Sequence, residues 1–480
     1  MSGNTTPHGG TLATDSLGMP QVIFQSISNM APGLSVVAGL TGVAAFAGGA
    51  MPLALVLGVL LAALLVIPVI QYARRVASAG GYYTYVTRGL NPRAGLYTGW
   101  IYLLYEAASL AGTVLFFGYL LPGLLNIDFG MHVANWMWWP ATMISAGFIW
   151  FMSYRGIRIS LNYSYVMGGL EVLVFLVVAI WLLALHAHQS SGVVFTPKLS
   201  PTGLGGVALG VIFSFLSLTG FGAAVTLGEE ARNPLKTITR SVIIAIVGIG
   251  AFYIFLGFVS VVAWGPHHMS TYASSTVPFV TLVQHNLSAV WVWLLTILTL
   301  NGSLACALAI HNAQARMLFS LGRDNLIVPR RLGVTHPEYR TPYRAIHLSA
   351  IVTVVGVSIA GALLGPLEGF FLFGTIATLG ALAVHFAVNV SVPAYFRKIH
   401  SFSFFLHFVI PILGALLILL PIYFSVVPLP AFPVMVAPFV ALVWLVAGVF
   451  VVRSVGRRHP ELLARAGMLS GADRDADSQA

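Results

Sequence analysis

Apolar residues fall in long blocks along the chain, separated by short polar stretches. A helix needs about 20 apolar residues to cross a bilayer. Blocks of that size predict twelve spanning helices, at about 18–47, 51–73, 94–121, 136–153, 160–186, 203–228, 239–263, 288–315, 345–364, 368–392, 403–424 and 433–453. The polar ends are 1–16 and 454–480, and the closing "SGADRDADSQA" is small, polar and expected to be disordered. No block of soluble-domain character interrupts the series. The start, Met1 to Met19, is polar and holds Asp15, so it does not read as a cleavable signal peptide.

Two blocks depart from the pattern. The first contains "SISNMAPGLSVVAG", with Ser26, Ser28, Asn29, Pro32 and Gly33 in its middle. The sixth contains "SLTGFGA", with Ser214 just before it and Ser217, Thr219, Gly220 and Gly222 inside. These are blocks one and six, so each opens a run of five. Matching breaks in two halves point to inverted repeats around a midplane binding site in a transporter; two merely kinked helices are the plainer alternative. An unwound turn frees backbone groups. The N-terminus of the second half-helix attracts a carboxylate, and freed carbonyls attract an ammonium or cation. Pro32 has no N–H but suits a helix's first turn, so the donors there are Gly33, Leu34 and Ser35.

Composition narrows the class. The chain is 58% hydrophobic and 8% charged, where a soluble domain carries about 25% charged residues. That leaves too little charge to coat a water-facing surface, and an integral membrane protein fits. The net charge of +10 could suggest nucleic acid until the charges are placed. With a cytoplasmic N-terminus, 22 of the 23 basic residues lie in inner loops or the C-terminal tail, and Lys198 alone lies outside. That is the positive-inside distribution, so the basic charge reports topology, with both termini cytoplasmic, and not nucleic-acid binding. Trp136, Trp138 and Trp139 read as an interfacial aromatic belt. The single cysteine, Cys306, excludes an internal disulfide framework and a cysteine-based metal cluster. His267, His268 and His285 have no acid or cysteine nearby and make a poor metal set. No nucleophile elbow, phosphate loop, dinucleotide fingerprint or zinc helix motif occurs, so no enzyme or ATP-driven pump is expected and no cofactor is implied.

Two carboxylates fall well inside predicted spans, Glu106 and Glu171. Ionisable groups there are costly and mark functional sites by default. Glu171 lies about eleven residues from Ser160, near mid-depth at 1.5 Å per residue. It could load and release a coupling proton, or serve as a hydrogen-bonded structural carboxyl. Glu106 is four residues from Tyr102, on the same helical face, and could sense an amino group or bond Tyr102 or a neighbouring helix. Asn301, His311, Asn312, His385 and Asn389 read as interhelical hydrogen-bonding groups.

Four stretches together resemble the amino acid–polyamine–organocation (APC) superfamily. They are the broken first span; "ASAGGYYTYVTRGLNPRAGLYTGWIYLL"; "FGAAVTLGEEARNPLKTITRSV"; and "QARMLFSLGRDNLIVPRRLGVTHPEYRTPYRA". The resemblance covers about residues 20–400. It implies an all-α membrane protein with twelve transmembrane helices and the LeuT fold. In that fold a five-plus-five inverted repeat, with helices one and six broken, is followed by two extra C-terminal helices. The expected division is then 1–16, repeat one at 17–190, repeat two at 200–392, the extra pair at 403–453, and the tail at 454–480. The resemblance places a substrate carboxylate on the amides of Gly33 and Leu34, beside Ala31, and the amine on the carbonyls of Asn29 and Met30. Carbonyls of Leu216, Ser217 and Thr219 would join from the sixth span, and Phe221 would cover the substrate. Tyr102 and Glu106 would line the route on span three. Many relatives carry an acid after that aromatic, where this chain has Gly222, which disfavours a lysine, arginine or polyamine substrate. Glu171 resembles the titratable group that proton-coupled relatives place on span five. Span eight, "SLACALAIHNAQARMLFS", has no hydroxyl between its ends, which argues against sodium. Glu229 and Glu230 are expected to pair with inner-loop arginines and latch a cytoplasmic gate, the alternative being a solvated helix end. The expected function is proton-coupled symport of a neutral or small amino acid across the plasma membrane by alternating access. Exchange, inorganic cation transport and amino acid sensing without transport are the competing readings. Potassium transport is disfavoured because no acid lies between Gln21 and Arg74. Sensing is disfavoured by the short tails.

Overall fold

The computed structural model of the chain describes residues 11–129, 132–189, 191–275, 277–427 and 429–467. Its helices in chain order are α1 (Met19–Asn29), α2 (Pro32–Leu34), α3 (Leu40–Ala47), α4 (Met51–Ala73), α5 (Gly81–Gly89) and α6 (Pro92–Phe129). There follow α7 (Trp138–Arg155), α8 (Ile157–Leu185), α9 (Leu204–Leu218), α10 (Pro234–Trp264), α11 (Met269–Ser274) and α12 (Pro278–Asn286). The series closes with α13 (Ala289–Asp324), α14 (Tyr343–Leu364), α15 (Pro366–Lys398), α16 (Ile410–Phe424), α17 (Ala437–Arg458) and α18 (Pro460–Ala464). Among the described residues no strand forms; Leu17 and Ala231 make one isolated parallel bridge.

Nine helical stretches among the described residues are long and apolar enough to cross a membrane. They match predicted spans two, three, five and seven to twelve. α7 fills the predicted fourth span with 18 residues, diluted by Thr142, Ser145, Ser153, Tyr154 and Arg155. Predicted spans one and six are divided into shorter pieces. The outward faces are apolar: Leu173 on α8, Leu363 on α14 and Val443 on α17 are each more than half exposed. Contiguous apolar surface of this kind suits lipid and not water. Trp136 and Trp139 are exposed, whereas Trp138 packs inward against the cluster around Leu115.

The chain makes each break with specific residues. α1 ends as the Ala31 N–H bonds the Ser28 carbonyl at 2.9 Å. Ala31 then adopts φ 48° and ψ 66°, a left-handed conformation that costs a residue with a Cβ about 1–2 kcal/mol. Pro32, which has no N–H to satisfy, starts the next piece, and a π-helical turn, Ser35–Gly39, leads into α3. The second break follows α9. Gly220 sits at φ 111°, where only glycine is at ease, and a 3-10 turn, Ala223–Leu227, replaces the α-helix. Ser26 ties the two breaks together: its hydroxyl donates to the Phe221 carbonyl at 2.7 Å and accepts from the Ala224 N–H at 3.2 Å. Around this centre, α1 packs on α8, α10 and α13, while α6 packs along α13 and α15.

The basic end of the bundle is sealed. Arg316 makes two hydrogen bonds to the Glu230 carboxylate, with both side chains buried. Arg323 reaches Glu229 at 2.6 and 2.9 Å, and Glu229 also accepts from the Ala79 N–H at 3.1 Å. The sequence pattern ends span eight at 315, with Arg316 and Arg323 in a loop. The structure corrects this: α13 continues to Asp324 and stops where Asn325 turns left-handed at φ 52°. The described stretches nearest the two termini fold onto this seal. Leu12 is buried with Ala79 and Phe319, and Arg232 Nε donates to the Asp15 carbonyl at 2.9 Å. At the other end, Leu463 and Ala466 join the main core. The Gly467 N–H donates to Asp324 Oδ2 at 3.1 Å, an oxygen that also accepts from the Tyr83 hydroxyl.

Candidate functional site

The two breaks meet at the centre of the bundle. A side chain at Gly220 would run into the Asn29 side chain and backbone, so the breaks touch there. On the first break, Asn29, Met30, Ala31, Gly33 and Leu34 are all buried. Their backbone groups are partly engaged within the chain. The Met30 carbonyl accepts from the Tyr253 hydroxyl at 2.7 Å and from the Ser35 hydroxyl at 3.1 Å. The Asn29 carbonyl accepts from the Cys306 thiol, at 3.6 Å, and a thiol is a weak donor. The Asn29 side-chain amide nitrogen is buried without a partner.

Gly33 has a partner that the sequence pattern did not reveal. Its N–H donates to Glu171 Oε1 at 3.1 Å. The chain's own carboxyl thus sits on the positively polarised start of the second half-helix. A Cβ at Gly33 would strike Glu171, and so would a Cβ at Gly302 on α13. The carboxyl is therefore wedged between two glycines from different helices, and Glu171 is 1% exposed.

On the second break, Ser217 bonds its own helix, at 3.3 Å to the Phe213 carbonyl, and lies opposite Gly39. The side chain of Leu216 lies outside the described parts. Phe221 is fully buried, its ring 4.9 Å from that of His385. Thr219 lines a cavity of about 160 Å³ with Tyr105, Ser109, Thr113, Phe370 and Thr378, between α6 and α15. Glu106 is one turn before Ser109 on the same face of α6. It is 1% exposed, and its Oε2 has no hydrogen-bond partner. The Tyr102 hydroxyl is likewise buried; it lies beside the Glu106 carboxyl without well-formed hydrogen-bond geometry, and the Tyr102 ring is 5.8 Å from that of Tyr82.

The break residues, Glu171 and Phe221 thus converge on one centre, with Glu106 and Tyr102 on α6 facing it from span three. Glu229 and Glu230 belong to the sealed basic end. Of the other polar residues, three bridge helices. The Tyr163 hydroxyl reaches Asn301, His311 Nδ1 lies 3.1 Å from the Ser153 hydroxyl, and Asn312 donates to the Ser160 hydroxyl at 3.0 Å. His385 and Asn389 do not bridge helices: Asn389 donates back to the His385 carbonyl on α15 at 2.8 Å. Ser26 was marked in the sequence as part of the first break but not as the tie to the second, and Tyr253, Tyr82 and Gly302 carried no assigned role. A signal existed for Tyr253, a lone hydroxyl in the apolar run "AFYIFLGF". Among the described residues no group of three His, Cys, Asp or Glu side chains comes together to hold a metal.

Comparison with known proteins agrees with this architecture. The family model described as amino acid permease matches residues 21–463. The chain is similar to the branched-chain amino acid permease BcaP of Bacillus subtilis (strain 168), with 26% identity over 75% of this chain and 76% of that protein. It is similar to the low-affinity putrescine importer PlaP of Escherichia coli (strain K12), with 24% identity over 82% of this chain and 84% of that protein. It is also similar to a methylthioribose transporter of Bacillus subtilis (strain 168), with 28% identity over 89% of this chain and 90% of that protein.

Proposed function

Since the chain belongs to the amino acid permease family of membrane transporters, we propose that it moves amino acids across the plasma membrane by proton-coupled alternating access. The observation that carries the reading is the hydrogen bond from the Gly33 amide to Glu171. That amide is the natural seat for a substrate carboxylate, and the chain's own carboxylate occupies it. A proton on Glu171 removes the charge that holds this bond. The amide then becomes available to the incoming carboxylate, so proton and substrate load together. The Leu34 amide would share the carboxylate, with Ala31 holding the turn open. The substrate amine would fall to the Asn29 carbonyl, which has only a weak donor now, and to carbonyls of the second break around Leu216, Ser217 and Thr219. The Met30 carbonyl is already doubly engaged and contributes less. Phe221 would close over the bound molecule, and Tyr102 and Glu106 would meet its side chain.

The division into two five-helix repeats belongs to the same proposal. In it α1, α4, the second break and α10 rock against the remaining helices. The basic end would face the cytoplasm, by the distribution of arginines. The pairs Glu230–Arg316 and Glu229–Arg323 run from the second break to α13, so they part when that end opens. The test is uptake of radiolabelled amino acids into proteoliposomes, with proton and sodium gradients imposed separately. Accumulation driven by the proton gradient alone supports the reading. Accumulation that needs sodium refutes the coupling, and exchange that ignores both gradients favours an antiporter.

A further inference from the structure

Charge balance in the bundle centre constrains what the site accepts. Among the described residues, the buried charged side chains are Glu106, Glu171, Glu230, Arg316 and Asp324. Arg316 is committed to Glu230, and Asp324 is held at the end of α13 by Tyr83 and the Gly467 amide. Glu106 and Glu171 therefore face the centre with no cation to pair them. The groups within electrostatic reach of Glu106 are Tyr82, Tyr102, Tyr105 and Cys306, three phenols and a thiol. His385 packs against the rings of Tyr82 and Phe221, and among the described residues no hydrogen bond or ion pair joins it to either carboxyl. Two buried carboxyls with no cation beside either call for two positive charges, brought as protons or as ligand.

The two carboxyls are not equivalent. Glu171 has a donor in the Gly33 amide, and glycines on both sides leave it no room to turn. Glu106 Oε2 has none, although it is almost completely buried. The turn that follows Glu106 opens on the cavity, whose walls include the hydroxyls of Ser109, Thr113, Thr219 and Thr378. Glycine at 222, which taken alone disfavours a cationic side chain, is offset by Glu106 on α6, and the position after Phe221 has no room for a competing side chain. A Cβ at Gly222 would collide with the Tyr82 hydroxyl. Glu106 is thus the acceptor left for a donor that arrives with the substrate.

We infer that the transported amino acid carries a second amine, entering with one net positive charge, and that Glu106 receives that amine. With a proton on Glu171, the loaded centre is neutral: one carboxylate, Glu106, against one surplus positive charge on the substrate. The inference rests on the transport reading above and names its substrate class. Ornithine and lysine are probes of that class, and leucine is the neutral control. The experiment is uptake and competition by the full-length chain in proteoliposomes. It is run for the wild type, Glu106→Gln and Glu106→Asp, and charge movement is recorded on a supported membrane. We expect ornithine or lysine to outcompete leucine, and each diamino acid to carry two positive charges inward, against one for a neutral substrate. Glu106→Gln should weaken the diamino acids by about thirtyfold or more, the usual consequence of removing one member of a buried charge pair. It should weaken leucine far less than the diamino acids, and Glu106→Asp should keep the preference. Preference for leucine over both diamino acids, or equal loss of all substrates in Glu106→Gln, overturns the inference while leaving amino acid transport intact. Absence of any amino acid uptake by the wild type overturns the transport reading itself.

Discussion

Replacement of Glu230 by glutamine removes one charge from the seal at the basic end while keeping its shape. Arg316 and Glu230 are 1% and 0% exposed, so the ion pair is desolvated on both sides. Deleting one partner of a buried pair costs about 3–5 kcal/mol, because the other charge stays buried and unpaired. Arg316 keeps its bond to the Asn312 carbonyl, at 2.9 Å, and one neutral amide oxygen at position 230, but no counter-charge. In a conformation open at this end the guanidinium would be hydrated, so the cost falls on the sealed state alone. At about 1.4 kcal/mol per decade, the sealed-to-open ratio should fall by two to three and a half decades. The chain carries its own reporter. Cys306 is the single cysteine, is 4% exposed, and touches the first break at the Asn29 carbonyl. A small membrane-impermeant thiol reagent, applied to the cytoplasmic face of inside-out vesicles, should label Cys306 in Glu230→Gln at least about tenfold faster than in wild type. The pair Glu230→Leu with Arg316→Met removes both charges and should bring labelling back near the wild-type rate. Equal labelling in wild type and Glu230→Gln would refute the claim that this pair holds the end shut.

Other perturbations follow from the same contacts. Gly33→Ala should abolish proton-driven uptake, because its Cβ would strike Glu171 and press on Phe175; Gly302→Ala should do the same from α13, read as uptake per protein reconstituted. Ser26→Ala leaves the Phe221 carbonyl and the Ala224 amide without their shared partner, at about 1–3 kcal/mol for each buried group left unsatisfied, and should lower the melting midpoint in detergent by several degrees. Truncation after Arg458 removes the buried Leu463 and Ala466 and the amide that holds Asp324, so it should speed Cys306 labelling from the cytoplasmic face by a few-fold. Asp324→Asn in the full chain should produce a smaller change in the same direction.

The breaks were legible because their residues leave few alternatives. Pro32 cannot continue the hydrogen-bond ladder of a preceding helix, and Gly220 occupies a conformation closed to other residues. The depth of Glu171 was legible too, since helical rise converts residue count into distance. Its partner was not, because the contact depends on how α8 rotates against α1, which spacing within one helix does not set. The same applies to the Met30 carbonyl. The resemblance implies a free carbonyl there for the substrate amine, yet Tyr253 reaches it from α10. The acidic pair Glu229 and Glu230 signalled a salt bridge but not which arginine answers which glutamate. The extension of α13 to Asp324 was hidden because the apolar pattern stops where the helix leaves the apolar layer, while the backbone continues to Asn325. The folding-back of the stretches around Leu12 and around Leu463 and Ala466 was invisible because these apolar anchors are too sparse to form a pattern; the closing segment 470–480, read as disordered, lies outside the described residues.

The claim at the centre of this account is that Glu171 couples a proton to substrate binding by occupying the Gly33 amide. Glu171→Gln tests it most directly, since the amide side chain keeps the size and a hydrogen-bond acceptor but binds no proton. The measurement compares accumulation against a concentration gradient under an inward proton gradient with substrate exchange at equal pH on both sides. Glu171→Gln should lose proton-driven accumulation and retain exchange. Undiminished accumulation driven by the proton gradient in Glu171→Gln would contradict it.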